Sequence, residues 1–108
     1  MKFVGDLLQR EQPDAIVCSN DFTAALLIQT LTALRVRLPH DLAIAGFDDV
    51  NYATLLAVPL TTIRQPFRDI GQVAVRVMRE RLDNADMPAR QVLLAGELIV
   101  RQSCLRKR

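Results

Sequence analysis

Leu42-Ala43-Ile44-Ala45-Gly46-Phe47-Asp48-Asp49 is the stretch on which the fold turns: six residues without a charge, then two carboxylates. A short unbroken apolar run that stops at polar residues is the pattern of a strand covered on both faces, as in a parallel sheet. The pattern repeats on either side. Upstream, Ala15-Ile16-Val17-Cys18 is a second such run. Ser19-Asn20-Asp21 follows it with a cap and an early acidic charge for a helix over about 21–34. Phe22, Ala24, Ala25, Leu27, Ile28, Leu31 and Leu34 spread around much of that helix, so it is expected to be wedged between layers or against a partner. Pro39-His40-Asp41 turns the chain into the quoted strand. Downstream, Tyr52, Leu55 and Leu56 lie in a short irregular stretch, and Leu60-Thr61-Thr62-Ile63-Arg64 reads as a third strand. Gln65-Pro66 then opens a long helix to about residue 83, with Phe67, Ile70, Ala74, Val77 and Met78 on one face. A first helix containing Phe3, Val4, Leu7 and Leu8 stops at Gln12-Pro13. Residues 84–88 form a polar turn, 91–102 read as one or two strands interrupted at Gly96, and 106–108 as a solvated tail. Strand and helix alternate throughout, which predicts an α/β fold of parallel-sheet βαβ units. Three or four strands are few for such a sheet, which points to part of a larger α/β body.

Composition narrows the function. The 108 residues are half apolar and carry 14 basic against 12 acidic side chains, a balance too even for a nucleic-acid domain recognised by charge. No apolar run approaches the roughly 20 residues that span a bilayer, so no membrane partner is expected. The opening residues contain no export-signal pattern, and a cytoplasmic location is expected. Cys18 and Cys104 stand far apart with one histidine, His40, in the whole chain. They read as two reduced structural thiols, with no metal and no cofactor.

In open parallel sheets ligands bind beyond the carboxyl ends of the strands. Asn20 and Asp48 each follow such an end, and on neighbouring strands they converge at one rim. Asn20 offers a donor and an acceptor and Asp48 offers acceptors, a combination suited to sugar hydroxyls. Phe22, Phe47 and Phe67 could supply the apolar face on which a sugar ring stacks. Bland readings stand beside these: Asn20 as a helix cap, Asp48 as a turn residue, each phenylalanine as ordinary core. The adjacent Asp48 and Asp49 suggest acid/base chemistry, but neighbours at a strand end point in different directions, and no catalytic residue is assigned. No nucleophile triad or glycine-rich phosphate loop accompanies them.

Four strings resemble lactose/galactose-repressor-type transcription regulators. They are Pro13-Asp14-Ala15-Ile16-Val17-Cys18-Ser19-Asn20-Asp21, Leu38-Pro39 with Asp41 through Asp49, Pro59-Leu60-Thr61-Thr62-Ile63-Arg64-Gln65-Pro66, and Leu98-Ile99-Val100-Arg101-Gln102-Ser103. Each is weak alone; together, in order, they cover nearly the whole chain. The resemblance implies a periplasmic-binding-protein-like (type I) sensor of two α/β lobes, of which this chain would be the C-terminal segment. Residues 1–60 would belong to the lobe distal to DNA and 61–65 would cross over. Residues 66–90 would give a helix to the DNA-proximal lobe, and 91–104 would return. Asn20, Asp48 and Phe67, and more weakly Phe22, resemble effector contacts, the effector being a small molecule such as a sugar. Tyr52, Leu55 and Leu56 resemble the face of a homodimer, with intralobe packing as the alternative. Operator DNA would be bound only through an N-terminal domain that these residues do not include. An exported sugar-binding protein of a transport system is the alternative that shares the fold.

Overall fold

The computed structural model describes residues 2–105, so the 106–108 tail lies outside the described residues. Its order is α1 (Lys2–Glu11), β1 (Ala15–Val17), α2 (Asp21–Ala33), β2 (Ala43–Ala45), a 3-10 turn (Asn51–Thr54), β3 (Thr62–Arg64), α3 (Phe67–Asp83), β4 (Glu97–Ile99) and a second 3-10 turn (Gln102–Cys104). β1 and β2 pair in parallel with Ile16 opposite Ile44. Parallel bridges from Ala45 to Thr61 and from Asp48 to Arg64 extend this pairing to the β3 segment. β4 adds antiparallel to β3, with Thr62 opposite Ile99 and Arg64 opposite Glu97. The expected α/β fold with parallel pairing is therefore present.

The core lies between one face of this sheet and α2. Ala24, Ile28 and Leu31 of α2 meet Ile44, Leu42, Leu60, Ala53 and Cys18, all buried. Ala24, Ile28 and Leu31 recur at spacings of four and three, which puts them on one helical face. Phe22, Leu26 and Leu34 on the other sides of α2 are exposed, so within this chain the helix is covered on its sheet side. β1 departs from expectation. Val17 is 79% exposed and Ala15 is also exposed, since among the described residues β1 has a hydrogen-bonded neighbour on one edge only and nothing covers its outer face. The turn into β2 is closed by Arg37, whose backbone N–H and guanidinium both bind the Asp41 carboxylate, at 2.6–3.0 Å. Those hydrogen bonds hold the Asp41 carboxyl at about 2.

Gly46 is required by close approach. A Cβ there would collide with the Asp21 carboxylate and stand 2.9 Å from Leu60 Cδ2 and 3.3 Å from Asp21 Cα. The end of β2 can therefore pass α2 only as bare backbone.

The region 66–96 is different in kind. No residue of α3 is buried, and its apolar face meets residues 87–94, forming a groove of about 570 Å³ with Ile70, Val77, Met78 and Leu93 in its lining. Arg81 and Arg90 tie the returning chain to the helix through Met87 O and Glu80. Of the one or two strands expected over 91–102 with a break at Gly96, the structure forms only Glu97–Ile99, directly after that glycine, where an added Cβ would crowd Ile63 and the Arg64 carbonyl. With a compact body and this arm the molecule extends 57 Å, and its radius of gyration is 18.5 Å. A compact chain of this length would have about 13 Å.

Candidate functional site

Three strand ends lie side by side. Past β1, Cys18 N–H donates to Ala45 O at 2.8 Å and Asp21 N–H to Phe47 O at 2.9 Å. Past β2, Gly46 N–H donates to Thr61 O at 2.8 Å and Asp48 N–H to Ile63 O at 2.9 Å. Backbone pairing thus places Asn20, Asp48 and the Gln65–Phe67 turn at one rim, the carboxyl-end position at which such sheets bind ligands.

Asn20 is the N-cap of α2: its backbone is extended and its Oδ1 accepts from Thr23 N–H at 2.8 Å. The capping role is real and uses only the oxygen. The carboxamide nitrogen has no hydrogen-bond partner among the described residues. Asp48 is half-buried and its Oδ1 accepts from Gln65 Nε2 at 2.6 Å. Gln65 is a rim residue that residue-type reasoning did not single out, although it stood within the quoted Pro59–Pro66 string. Phe22 and Phe67, at the first turns of α2 and α3, are about three-fifths exposed, and Phe47 is 39% exposed. None of the three is core, which corrects the packing default for aromatic residues: each sits at a strand-to-helix junction where no second layer covers it.

Asp48 and Asp49 both have positive φ, 116° and 54°. Such backbone is uncommon outside glycine, though Asp tolerates it, and it costs roughly 1–3 kcal/mol per residue. The twist separates the two carboxylates. Asp48 engages Gln65, whereas Asp49 accepts from Arg64 Nε at 2.7 Å and from Arg101 at 2.6 Å. They do not share one site, so the geometry offers no acid/base pair of coupled carboxylates. Burial raises the Asp49 carboxyl, but the hydrogen bonds and charges of Arg101 and Arg64 outweigh it and the net shift is downward. Its contribution to stability is therefore full above the unfolded value of 3.8 and is lost only as pH falls through the lower folded value. An acid titration followed by carboxyl NMR is expected to give Asp49 a midpoint below 3.8; a midpoint at or above it would contradict the double pairing.

Beneath the rim lies a residue whose role the sequence hid. Asp21 is fully buried; its carboxylate accepts from Thr62 Oγ1 at 2.6 Å and from Val50 N–H at 3.0 Å. It locks α2, β3 and the loop after Asp49 together. Ser103, also buried, donates to Ile44 O at 2.6 Å and accepts from Thr61 N–H at 2.8 Å, fastening the last turn to the sheet. Both cysteines are free; burial raises the Cys18 thiol, and Cys104 Sγ contacts Ile44 O at 3.2 Å. Among the described residues no three His, Cys, Asp or Glu side chains are grouped to hold a metal, and no helix is long and apolar enough to cross a membrane. Of the three residues read as a pairing face, Tyr52 and Leu55 are exposed, at 38% and 82%, while Leu56 packs against the core.

The sequence pattern of the periplasmic-binding-protein-like domain matches residues 2–104. The chain is 35% identical over 97 residues to the transcriptional repressor PurR of Photobacterium profundum, covering 90% of this chain and 29% of that protein. It is 38% identical over 92 residues to the sucrose operon repressor of Streptococcus mutans, covering 85% and 29%. A LacI-family regulator of Lactobacillus casei solved with bound sucrose superposes with a TM-score of 0.68 at 33% identity, over 84% of this chain and 33% of that one. This chain thus spans 29% of the length of the two curated repressors. It belongs to the periplasmic-binding-protein-like domain family, and within that family its likeness is to LacI-type transcriptional repressors.

Proposed function

We propose that this chain is the effector-sensing segment of a LacI-type transcriptional repressor, with a sugar as the effector class. The observation that carries the reading is the rim: Asn20, Asp48 and Phe67 stand at adjoining strand ends. They combine a carboxamide donor, a carboxylate and an exposed ring, the chemistry of a sugar's hydroxyl edge and apolar face. The likeness to a sucrose-bound regulator supports it. Phe22, exposed on the first turn of α2, is a weaker contact. Residues 1–60 belong to the distal lobe, 61–65 cross over, 66–90 enter the DNA-proximal lobe and 91–104 return. Self-association runs through Tyr52 and Leu55 in a homodimer. Operator binding belongs to a domain elsewhere in the protein, the location is cytoplasmic, and the activity is allosteric rather than catalytic. An effector can change operator affinity only by binding one lobe arrangement better than the other.

Calorimetric titration of the intact regulator with sucrose, glucose, lactose and cellobiose, alongside operator gel shifts, tests this. Saturable binding of at least one sugar that changes operator affinity is the expected result. Operator binding indifferent to every sugar, with no heat of binding, would overturn the effector class.

A further inference from the structure

The body and the arm are joined by two segments, and the ribbon between them is slight. β3 and β4 pair over three residues each, and the chain leaves this ribbon through Gln65-Pro66 on one side and Gly96 on the other. β3 is held on its other edge by the parallel bridges Ala45–Thr61 and Asp48–Arg64, so the weak side of the ribbon is β4, whose three residues pair with β3 alone among the described residues.

One side chain spans it. Arg64 lies at the arm end of the ribbon, opposite Glu97, and Arg101 lies two residues past Ile99 at the body end. Asp49 holds both: Oδ2 takes Arg64 Nε at 2.7 Å and Oδ1 takes Arg101 at 2.6 Å. The two ends of this brace are themselves anchored. Arg64 also reaches Glu97 at 3.4 Å, across the strands. Arg101 donates to Leu60 O at 2.9 Å, while its backbone N–H and carbonyl both bond the Thr61 hydroxyl, at 2.8 and 3.0 Å. The Asp49 side chain is 8% exposed and that of Arg101 is 15% exposed, so this half of the brace is screened little by solvent or salt. Asp48, next door, holds Gln65 at the foot of α3.

The geometry points to Asp49 as the positioning residue that fixes the angle of the α3 arm against the sheet body, by bracing both ends of the β3–β4 ribbon with one carboxylate. Asp49 makes no contact with a ligand in this role. It acts through Arg64 and Arg101, and the role stands whatever effector the rim receives. A chain that only needed Asp49 for stability would lose melting temperature on its removal and keep one arm angle; a braced chain loses the angle.

The test is a distance distribution between labels on Gln29→Cys of α2 and Gln72→Cys of α3, both exposed, in the full 108-residue chain with Cys18→Ala and Cys104→Ser. The parent is expected to give one narrow distribution. Asp49→Asn, which removes the charge at nearly constant size, is expected to broaden and shift it while far-UV circular dichroism is unchanged. Asp49→Glu, which keeps the carboxylate, is expected to restore most of the narrow peak. Arg64→Gln cuts only the half-exposed end of the brace, so it reports even where Asp49→Asn does not fold, and it is expected to broaden the distribution in the same sense. A distribution as narrow as the parent's in Arg64→Gln, or in a folded Asp49→Asn, overturns the proposal. Because no sugar is used, failure here leaves the effector reading standing, and failure of the sugar titration leaves the brace standing.

Discussion

Asp21→Ala is expected to lower the folding free energy by roughly 2–6 kcal/mol, since it leaves one buried and one part-buried donor without an acceptor at about 1–3 kcal/mol each. Those donors are the Val50 N–H and the Thr62 hydroxyl, and Thr62 is itself fully buried. Water cannot easily replace the carboxylate, because Gly46 and Leu60 close around it. Asp21→Asn is expected to cost less: one oxygen can still accept from Val50 N–H, although the Thr62 hydroxyl proton then loses its acceptor. Urea denaturation of the three proteins, compared by midpoint at constant slope, measures the order. A loss below about 1 kcal/mol for the alanine variant would mean that the site relaxes and rehydrates, against the closed packing seen.

Asp48→Ala in the intact regulator is expected to weaken sugar binding by about a hundredfold, the scale of one or two hydrogen bonds to a charged acceptor at about 1.5–3 kcal/mol each. Operator affinity without sugar is expected to be retained. Asp48→Asn separates the Gln65 contact from the proposed contact with sugar. It keeps an oxygen for Gln65 Nε2 but gives up the second acceptor that a sugar hydroxyl needs. Its affinity is therefore expected to fall almost as far as that of the alanine variant, with Gln65 still held. Calorimetry with the sugar that binds the parent, paired with an operator titration, reads both quantities. Undiminished sugar affinity in either variant would remove Asp48 from the effector site.

The rim was legible at Asn20 and Asp48 because strand ends announce themselves in sequence, as an apolar run that stops at a polar residue. The partners were not. Asp21 reads as an ordinary first-turn acid of a helix, and only the Thr62 hydroxyl, 41 residues on, and the Val50 amide, 29 residues on, make it a buried lock. Asp49 reads as the second half of an acidic pair, and its partnership with Arg101 joins residues 52 positions apart. Leu56 reads with Tyr52 and Leu55 as one apolar face, yet just past the 3-10 turn it packs against the core while the other two stay exposed.

What the sequence determined by itself is what depends on near neighbours: the apolar runs of β1 and β2, the Asn20 cap, the start of α3 after Pro66 and the α/β alternation. These follow from backbone geometry and periodicity over a few residues, which every copy of such a segment obeys. The tertiary structure decided which faces are covered and which carboxylate meets which arginine. It left Val17 and the α3 face bare, buried Asp21, and turned Asp48 and Asp49 apart on strained backbone. Those outcomes depend on what a distant segment brings alongside, and burial and charge pairing take their energy from that encounter rather than from the residue's own surroundings in the chain.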